Sequence, residues 1–190
     1  MSDYEDFWQK NGLDYIVPPN TDNPEGFDVG EVLRGMIHGN VLEIGCGTGR
    51  IAKYFQSFEY TGVDINNNAL NVARAALPFH DFRLHNLGED YPACETALLY
   101  TVALHIPDDI IAEELSKIGS GADRVIIAEI MNPDHRKNRS KDGAYDISNH
   151  RSIEDYRNLM RASCGMSLKS LINRPYKHYQ GEHISFAEFT

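Results

Sequence analysis

The chain has 190 residues, 42 % of them apolar, which is enough for one folded unit with a sizeable core and leaves little for a second. A formal net charge of -10 argues against long-range attraction to DNA or RNA, whose binding draws on Lys and Arg neutralising phosphates. The three cysteines, Cys46, Cys94 and Cys164, form no C-x-x-C pair and suggest neither a disulfide framework nor a metal site. Met1 to Lys10 is acidic and aromatic, and no run approaches the ~18 apolar residues of a membrane span. A cytoplasmic protein with no membrane or nucleic-acid partner is expected.

In chain order, Ser2-x-x-Glu5 is a capping box ahead of a short helix with Phe7 and Trp8, closed by Gly12. A Pro/Asn-rich stretch from Val17 to Pro24 follows, so residues 1–27 read as an arm that caps the acceptor site of a domain spanning 28–190. Asp28-x-x-Glu31 caps a helix with Val29, Val32, Leu33, Met36 and Ile37 on one face, ended by Gly39. Then come a strand at 40–44, a glycine-rich turn, a helix at 51–55, a strand at 60–64 and a helix at 66–77 stopped by Pro78.

Strands near 82–85 and 96–102 precede a helix at 108–118 and a strand at 124–130, the last apolar enough to be buried on both faces. A polar stretch, 132–149, breaks the rhythm. Ser152-x-x-Asp155 then opens a helix closed by Gly165, and strands follow near 168–173 and 184–189. Repeated βα units imply an α/β, Rossmann-like, doubly wound and mostly parallel seven-stranded sheet. The link between the last two strands is too short for a parallel crossover, so one of them runs antiparallel.

The most informative segment is Val41-Leu42-Glu43-Ile44-Gly45-Cys46-Gly47-Thr48-Gly49-Arg50, an apolar strand running into three alternating glycines. Such a turn exposes bare backbone to a ligand at the carboxyl end of the strand. Asp64 ends the next strand 19 positions after Gly45, a spacing that suits a carboxylate accepting from ribose hydroxyls. A dinucleotide motif would carry its third glycine where Arg50 stands, which weakens a dehydrogenase reading. Glu43, two places before the first glycine, suits an ammonium-bearing ligand better than a pyrophosphate.

On these residues, with Gly62-Val63-Asp64-Ile65, the chain from Asp28 to Thr190 resembles the class I S-adenosylmethionine-dependent methyltransferases. The resemblance implies S-adenosylmethionine as cofactor. Gly45, Cys46, Gly47 and Gly49 would line its methionine, Glu43 would orient its ammonium group, Asp64 would hold the ribose, and Ile65 and Leu87 would pack on the adenine. Asn86 stands where family members place an acid for the adenine amino group, and Glu95 where many start the fourth strand with Asp. Thr101 and the stretch Val102 to Pro107 would pass the sulfonium methyl. A narrower likeness, in Asp6-Phe7-Trp8, Leu104-His105-Ile106-Pro107 and Glu129-Ile130-Met131-Asn132-Pro133, is to small bacterial methylases associated with surface sugars.

Methyl transfer from a sulfonium asks mainly for positioning, and an alcohol acceptor gains from a base. His105 is the catalytic candidate, set against a packed structural role. The aromatic arm and the locally basic stretch with Arg136, Lys137, Arg139, Lys141 and Arg151 point to a small acceptor bearing phosphate or carboxylate, and the narrower likeness implies a sugar, a nucleotide-sugar or a sugar phosphate. His135, His150, His178 and His183 show no metal-ligand spacing, so no metal is expected. The alternatives are a non-catalytic S-adenosylmethionine-binding sensor or activating subunit, and an aminopropyltransferase-like enzyme.

Overall fold

Strict alternation of side chains to opposite faces lets each central strand serve two cores at once. In the computed structural model, Leu98, Tyr100, Ile126 and Ala128 face one core, and Ala97, Leu99, Val125 and Ile127 face the other. The structure describes residues 6–10, 13, 16–19, 21, 25–135, 148–178 and 180–190. Ser2, Glu5, Gly12 and the cations Arg136, Lys137, Arg139 and Lys141 lie outside these.

The strands are β1 Val41–Ile44, β2 Tyr60–Asp64, β3 Asp81–Leu84, β4 Cys94–Tyr100, β5 Ala122–Glu129, β6 Leu168–Pro175 and β7 His183–Phe189. They form one sheet in the order β3-β2-β1-β4-β5-β7-β6. The first five pair in parallel, and β7 runs antiparallel to both β5 and β6, as the short β6–β7 link requires. The order reverses between β1 and β4, which opens a crevice at the carboxyl ends of the central strands.

Helices α1 Val29–Met36 and α2 Asn67–Ala76 cover one face; α3 Ile111–Ser120 and α4 Ile153–Cys164 cover the other. Their ends follow local chemistry. Asp28 accepts from the Glu31 amide at 3.0 Å, Asn66 accepts from Ala69 at 3.0 Å, and Ser152 with Asp155 forms a complete capping box. Gly165 ends α4 in the left-handed region at φ 72°. Residues 6–10 are helical, as the arm's pattern anticipates.

Three expectations differ from the structure. The helix expected at 51–55 is a single 3-10 turn, Ala52–Tyr54, in which the Tyr54 and Phe55 amides donate to the Ile51 and Ala52 carbonyls three residues back. The helix expected from Asp108 starts at Ile111, after a turn whose carbonyl at Pro107 accepts from both Ile110 and Ile111. The helix expected to reach Gly39 stops at Met36 with an extended cap at Ile37. Among the described residues no helix is long and apolar enough to cross a membrane.

Removing the α4 cap tests this local logic. Ser152→Ala deletes the acceptor for the Asp155 amide and should lower stability by ~1 kcal/mol in urea unfolding; an unchanged midpoint would show that the helix is set by packing alone.

Candidate active site

β1 meets β2 in a register that places Ile44 opposite Val63, so the chain leaving β1 runs over the end of β2. The amides of Gly45 and Cys46 both donate to the Val63 carbonyl, at 2.8 and 3.0 Å. The Gly47 amide donates to Asp64 Oδ2 at 2.7 Å, and the Asn66 amide to Oδ1 at 2.8 Å. Gly45 and Gly47 sit at φ 68° and 53°, and a Cβ at Gly45 would strike Val102 at 2.4 Å. The turn is therefore glycine because of its backbone shape and the close approach of the loop after β4.

Burial raises the Asp64 carboxyl above its ordinary value, while the Asn66, Gly47 and Ile65 amides pull it down. Both oxygens are thus held by backbone amides, and the carboxyl lines the cavity described below. Glu43 lies inside the sheet opposite Gly62 and accepts a short hydrogen bond from the Tyr60 hydroxyl. Burial lifts its carboxyl to about 8, against the opposing pull of that hydroxyl and of Arg50, so at neutral pH it is largely protonated.

These elements frame a cavity of about 340 Å³ at the carboxyl ends of β1, β2 and β4. Of the residues singled out from the sequence, Glu43, Gly45, Cys46, Gly47, Asp64, Ile65, Leu87, Thr101 and His105 line it. Gly49 and Asn86 do not. The bare Cα of Gly49 packs on Phe82 and Ala73, where a Cβ would come within 2.9 and 3.2 Å, so this glycine serves helix-to-strand packing. The Asn86 side-chain amide turns to Glu89 at 3.0 Å. In its place His85 lines the cavity, its ring tilted on Tyr91 and its Nε2 buried without a hydrogen-bond partner among the described residues. Sequence reasoning passed over His85 because it weighed only the position that matches the family's acid.

At the end of β4, Thr101 takes φ 55°, strained for a side chain with a branched Cβ, and its amide donates to Ala128 at 2.8 Å. The 3-10 turn Ala103–His105 follows, held from three sides. The Leu104 amide donates to Glu129 Oε2 at 2.9 Å, and Arg151 donates to the Ala103 and Ile106 carbonyls, each at 2.8 Å. The Asn149 amide donates to the Leu104 carbonyl at 2.6 Å. Glu129 also accepts from the Tyr156 hydroxyl, and burial raises its carboxyl to about 7. Arg151 is thus engaged with this turn and with Asp108 at 2.6 Å, and does not face the cavity as an acceptor-binding cation. Glu95 accepts from the Asn40 amide at the opposite end of the sheet from the cavity.

His105 Nδ1 lies 3.3 Å from Ser148 Oγ, and its ring meets Trp8 edge-on at 4.5 Å. Burial, with a smaller push from His150, lowers the imidazole to about 3, so it is neutral throughout the working range. The arm closes this end: Trp8, Ile16 and Val17 line the cavity, Asn66 Nδ2 donates to the Trp8 carbonyl at 2.8 Å, and Thr48 Oγ1 to the Val17 carbonyl at 3.0 Å. Arg50, also lining, pairs with Glu25 at 2.9 Å and lies over the Tyr100 ring.

Residues 41–131 match a family model described as "Methyltransferase domain". No curated protein matches the chain. Among solved structures, the magnesium protoporphyrin IX methyltransferase of Synechocystis PCC 6803 with bound SAH is 17% identical over 97% of this chain and 96% of that one, with a TM-score of 0.68. A TehB-like SAM-dependent methyltransferase from Corynebacterium glutamicum is 16% identical over 98% and 97%, at 0.66. A SAM-dependent methyltransferase from Methanosarcina mazei is 16% identical over 86% and 97%, also at 0.66. At these identities the likeness to solved structures is one of fold. The family match covers the segment that holds the glycine turn, Asp64 and the ends of β4 and β5, the residues on which the sequence resembles the class I methyltransferases.

Glu43 gives a pH test. Its folded carboxyl is raised, so the native state keeps a proton that the unfolded chain has already lost between pH ~4.5 and ~8, and this contribution to stability fades as pH rises through that window. In urea unfolding, Glu43→Gln should lose less stability than the wild type between pH 5 and 8. Parallel curves would mean that Glu43 is ionised in the folded protein.

Proposed function

We propose that this protein transfers a methyl group from S-adenosylmethionine to a small acceptor held in the cavity between the β1–β2 ends and the arm. The observation that carries this reading is a cavity of about 340 Å³ floored by bare backbone at Gly45 and Gly47, flanked by the Asp64 carboxylate, and closed by Trp8 and His105. Its volume lies in the usual range for small-ligand sites. Asp64 would accept from the ribose hydroxyls, Glu43 would face the ammonium, and Ile65, Leu87 and His85 would surround the adenine. When bound, the cofactor supplies an electrophilic methyl whose bonding pair stays on sulfur as the acceptor's lone pair takes the carbon.

His105 acts at the acceptor. An imidazole held near 3 does not strip a hydroxyl proton beforehand, but it accepts the hydrogen bond and orients the lone pair. As the oxygen bonds to the methyl it becomes a protonated ether, a far stronger acid than this imidazolium, so the proton moves to His105 and then to solvent. Residues 1–27 serve as the cap of the acceptor end, and 28–190 as the catalytic domain. The surface-sugar likeness and the basic stretch 132–151 favour a sugar, or an acceptor bearing phosphate or carboxylate, met by Arg136, Lys137 and Arg139 rather than by Arg151. The free cysteines fit a cytoplasmic setting.

The test is a screen of sugars, nucleotide-sugars, phosphorylated sugars and small acids for S-adenosylhomocysteine release. Turnover with at least one is expected, whereas tight cofactor binding with no turnover on any would favour a non-catalytic binding module. With an acceptor in hand, His105→Gln should cut kcat ~100-fold and leave S-adenosylhomocysteine affinity unchanged; an unaltered kcat assigns His105 to packing. The wild-type rate should show no inflection from a histidine between pH ~5 and ~8, because the His105 imidazole has already lost its proton. An activity midpoint near 6.5 that vanishes in His105→Gln would contradict that assignment.

A further inference from the structure

The glycine run ends on a charge. Arg50 directly follows Gly49, and among the described residues it is the single lysine or arginine that lines the cavity. Its side chain keeps 12% of its surface exposed, its Nη2 lies 2.9 Å from Glu25 Oε1, and its guanidinium sits 5.2 Å over the Tyr100 ring. Glu25 and Tyr100 line the cavity as well. A cation held this far from water loses hydration that an apolar side chain would not need. A guanidinium also presents five donors in a planar fork, enough to hold a second carboxylate beside the first.

We infer that Arg50 holds the carboxylate of the cofactor's methionine, so that Arg50 and Glu43 together read the two charged groups of one amino acid. This rests on the methyl-transfer reading. S-adenosylmethionine carries one anionic group, and that group shares a carbon with the ammonium assigned to Glu43. The cation that meets it therefore has to stand at the glycine turn and close to Glu43. Arg50 satisfies both conditions. It is the next residue after the turn, and while burial lifts the Glu43 carboxyl, the Arg50 charge is among the influences that oppose the rise. The acids that line the cavity, Glu25, Glu43 and Asp64, offer a carboxylate nothing; Arg50 is the permanent positive charge among the described lining residues. Glu25 comes from the arm, so its contact with Arg50 fixes the guanidinium and ties the arm to the methionine end of the cavity.

The test compares two ligands by calorimetry: S-adenosylhomocysteine and its decarboxylated analogue, S-adenosyl-3-thiopropylamine, which keeps the nucleoside, the sulfur and the ammonium and lacks only the carboxylate. The wild type should bind the amine ~10-fold or more weakly than S-adenosylhomocysteine, the loss expected for a charge-assisted contact. Arg50→Met should bring S-adenosylhomocysteine down to the level of the amine and leave the amine within ~2-fold of its wild-type affinity, and Arg50→Lys should keep part of the preference. Equal affinity of the wild type for the two ligands overturns the inference without recourse to any variant. Equal weakening of both ligands by Arg50→Met overturns it too, and makes Arg50 a structural partner of Glu25. Failure of the wild type to bind either ligand would instead overturn the methyl-transfer reading, so the two failures are distinguishable.

Discussion

The site hangs on how the chain leaves β1. Two successive amides, those of Gly45 and Cys46, converge on one carbonyl at Val63, and a third, at Gly47, lands on the Asp64 carboxylate. That sewing is possible only because β1 and β2 run parallel in the register that sets Ile44 beside Val63, and because positive φ is free of strain at glycine. Once it is made, the floor of the cavity is backbone and its rim is a carboxylate. The Val102 side chain then presses on Gly45, so the loop after β4 is positioned by the same turn.

Among the described residues, buried acid–phenol pairs stand around the cavity. Glu43 with Tyr60 lies under the cofactor end, and Glu129 with Tyr156 and Arg151 lies under the turn that carries His105. Burying such groups costs desolvation that apolar packing would avoid, so their return lies in fixed geometry more than in stability. Glu129 and Arg151 together satisfy the Leu104 amide and the Ala103 and Ile106 carbonyls, which leaves the His105 backbone little freedom. Asn149 also bonds Leu104 of this turn, and Ser148 approaches His105.

Much of this was legible in the chain before any coordinates. Apolar strands alternating with helices, Asp28, Asn66 and Ser152 at helix starts, and the short β6–β7 link define the sheet and its antiparallel strand. The glycine turn and Asp64 were readable because their chemistry is local: a backbone conformation and a strand-end acid. What resisted reading depends on side-chain direction across the fold. Asn86 faces Glu89 while His85 faces the cavity, a choice made by one step of pleat at the end of β3. Arg151 looks like a loop cation in sequence and proves to be a buried clamp, because its partners, Asp108 and the Ala103 and Ile106 carbonyls, lie more than forty residues away. The third glycine of the motif packs a helix on Phe82.

The most direct measurement is calorimetric titration of the purified chain with S-adenosylhomocysteine, with NADH as the control ligand. The account predicts one molecule bound per chain, with no heat from NADH. No binding of the nucleoside, or equal binding of both ligands, would contradict the claim that backbone at Gly45 and Gly47 and the Asp64 carboxylate together form its pocket.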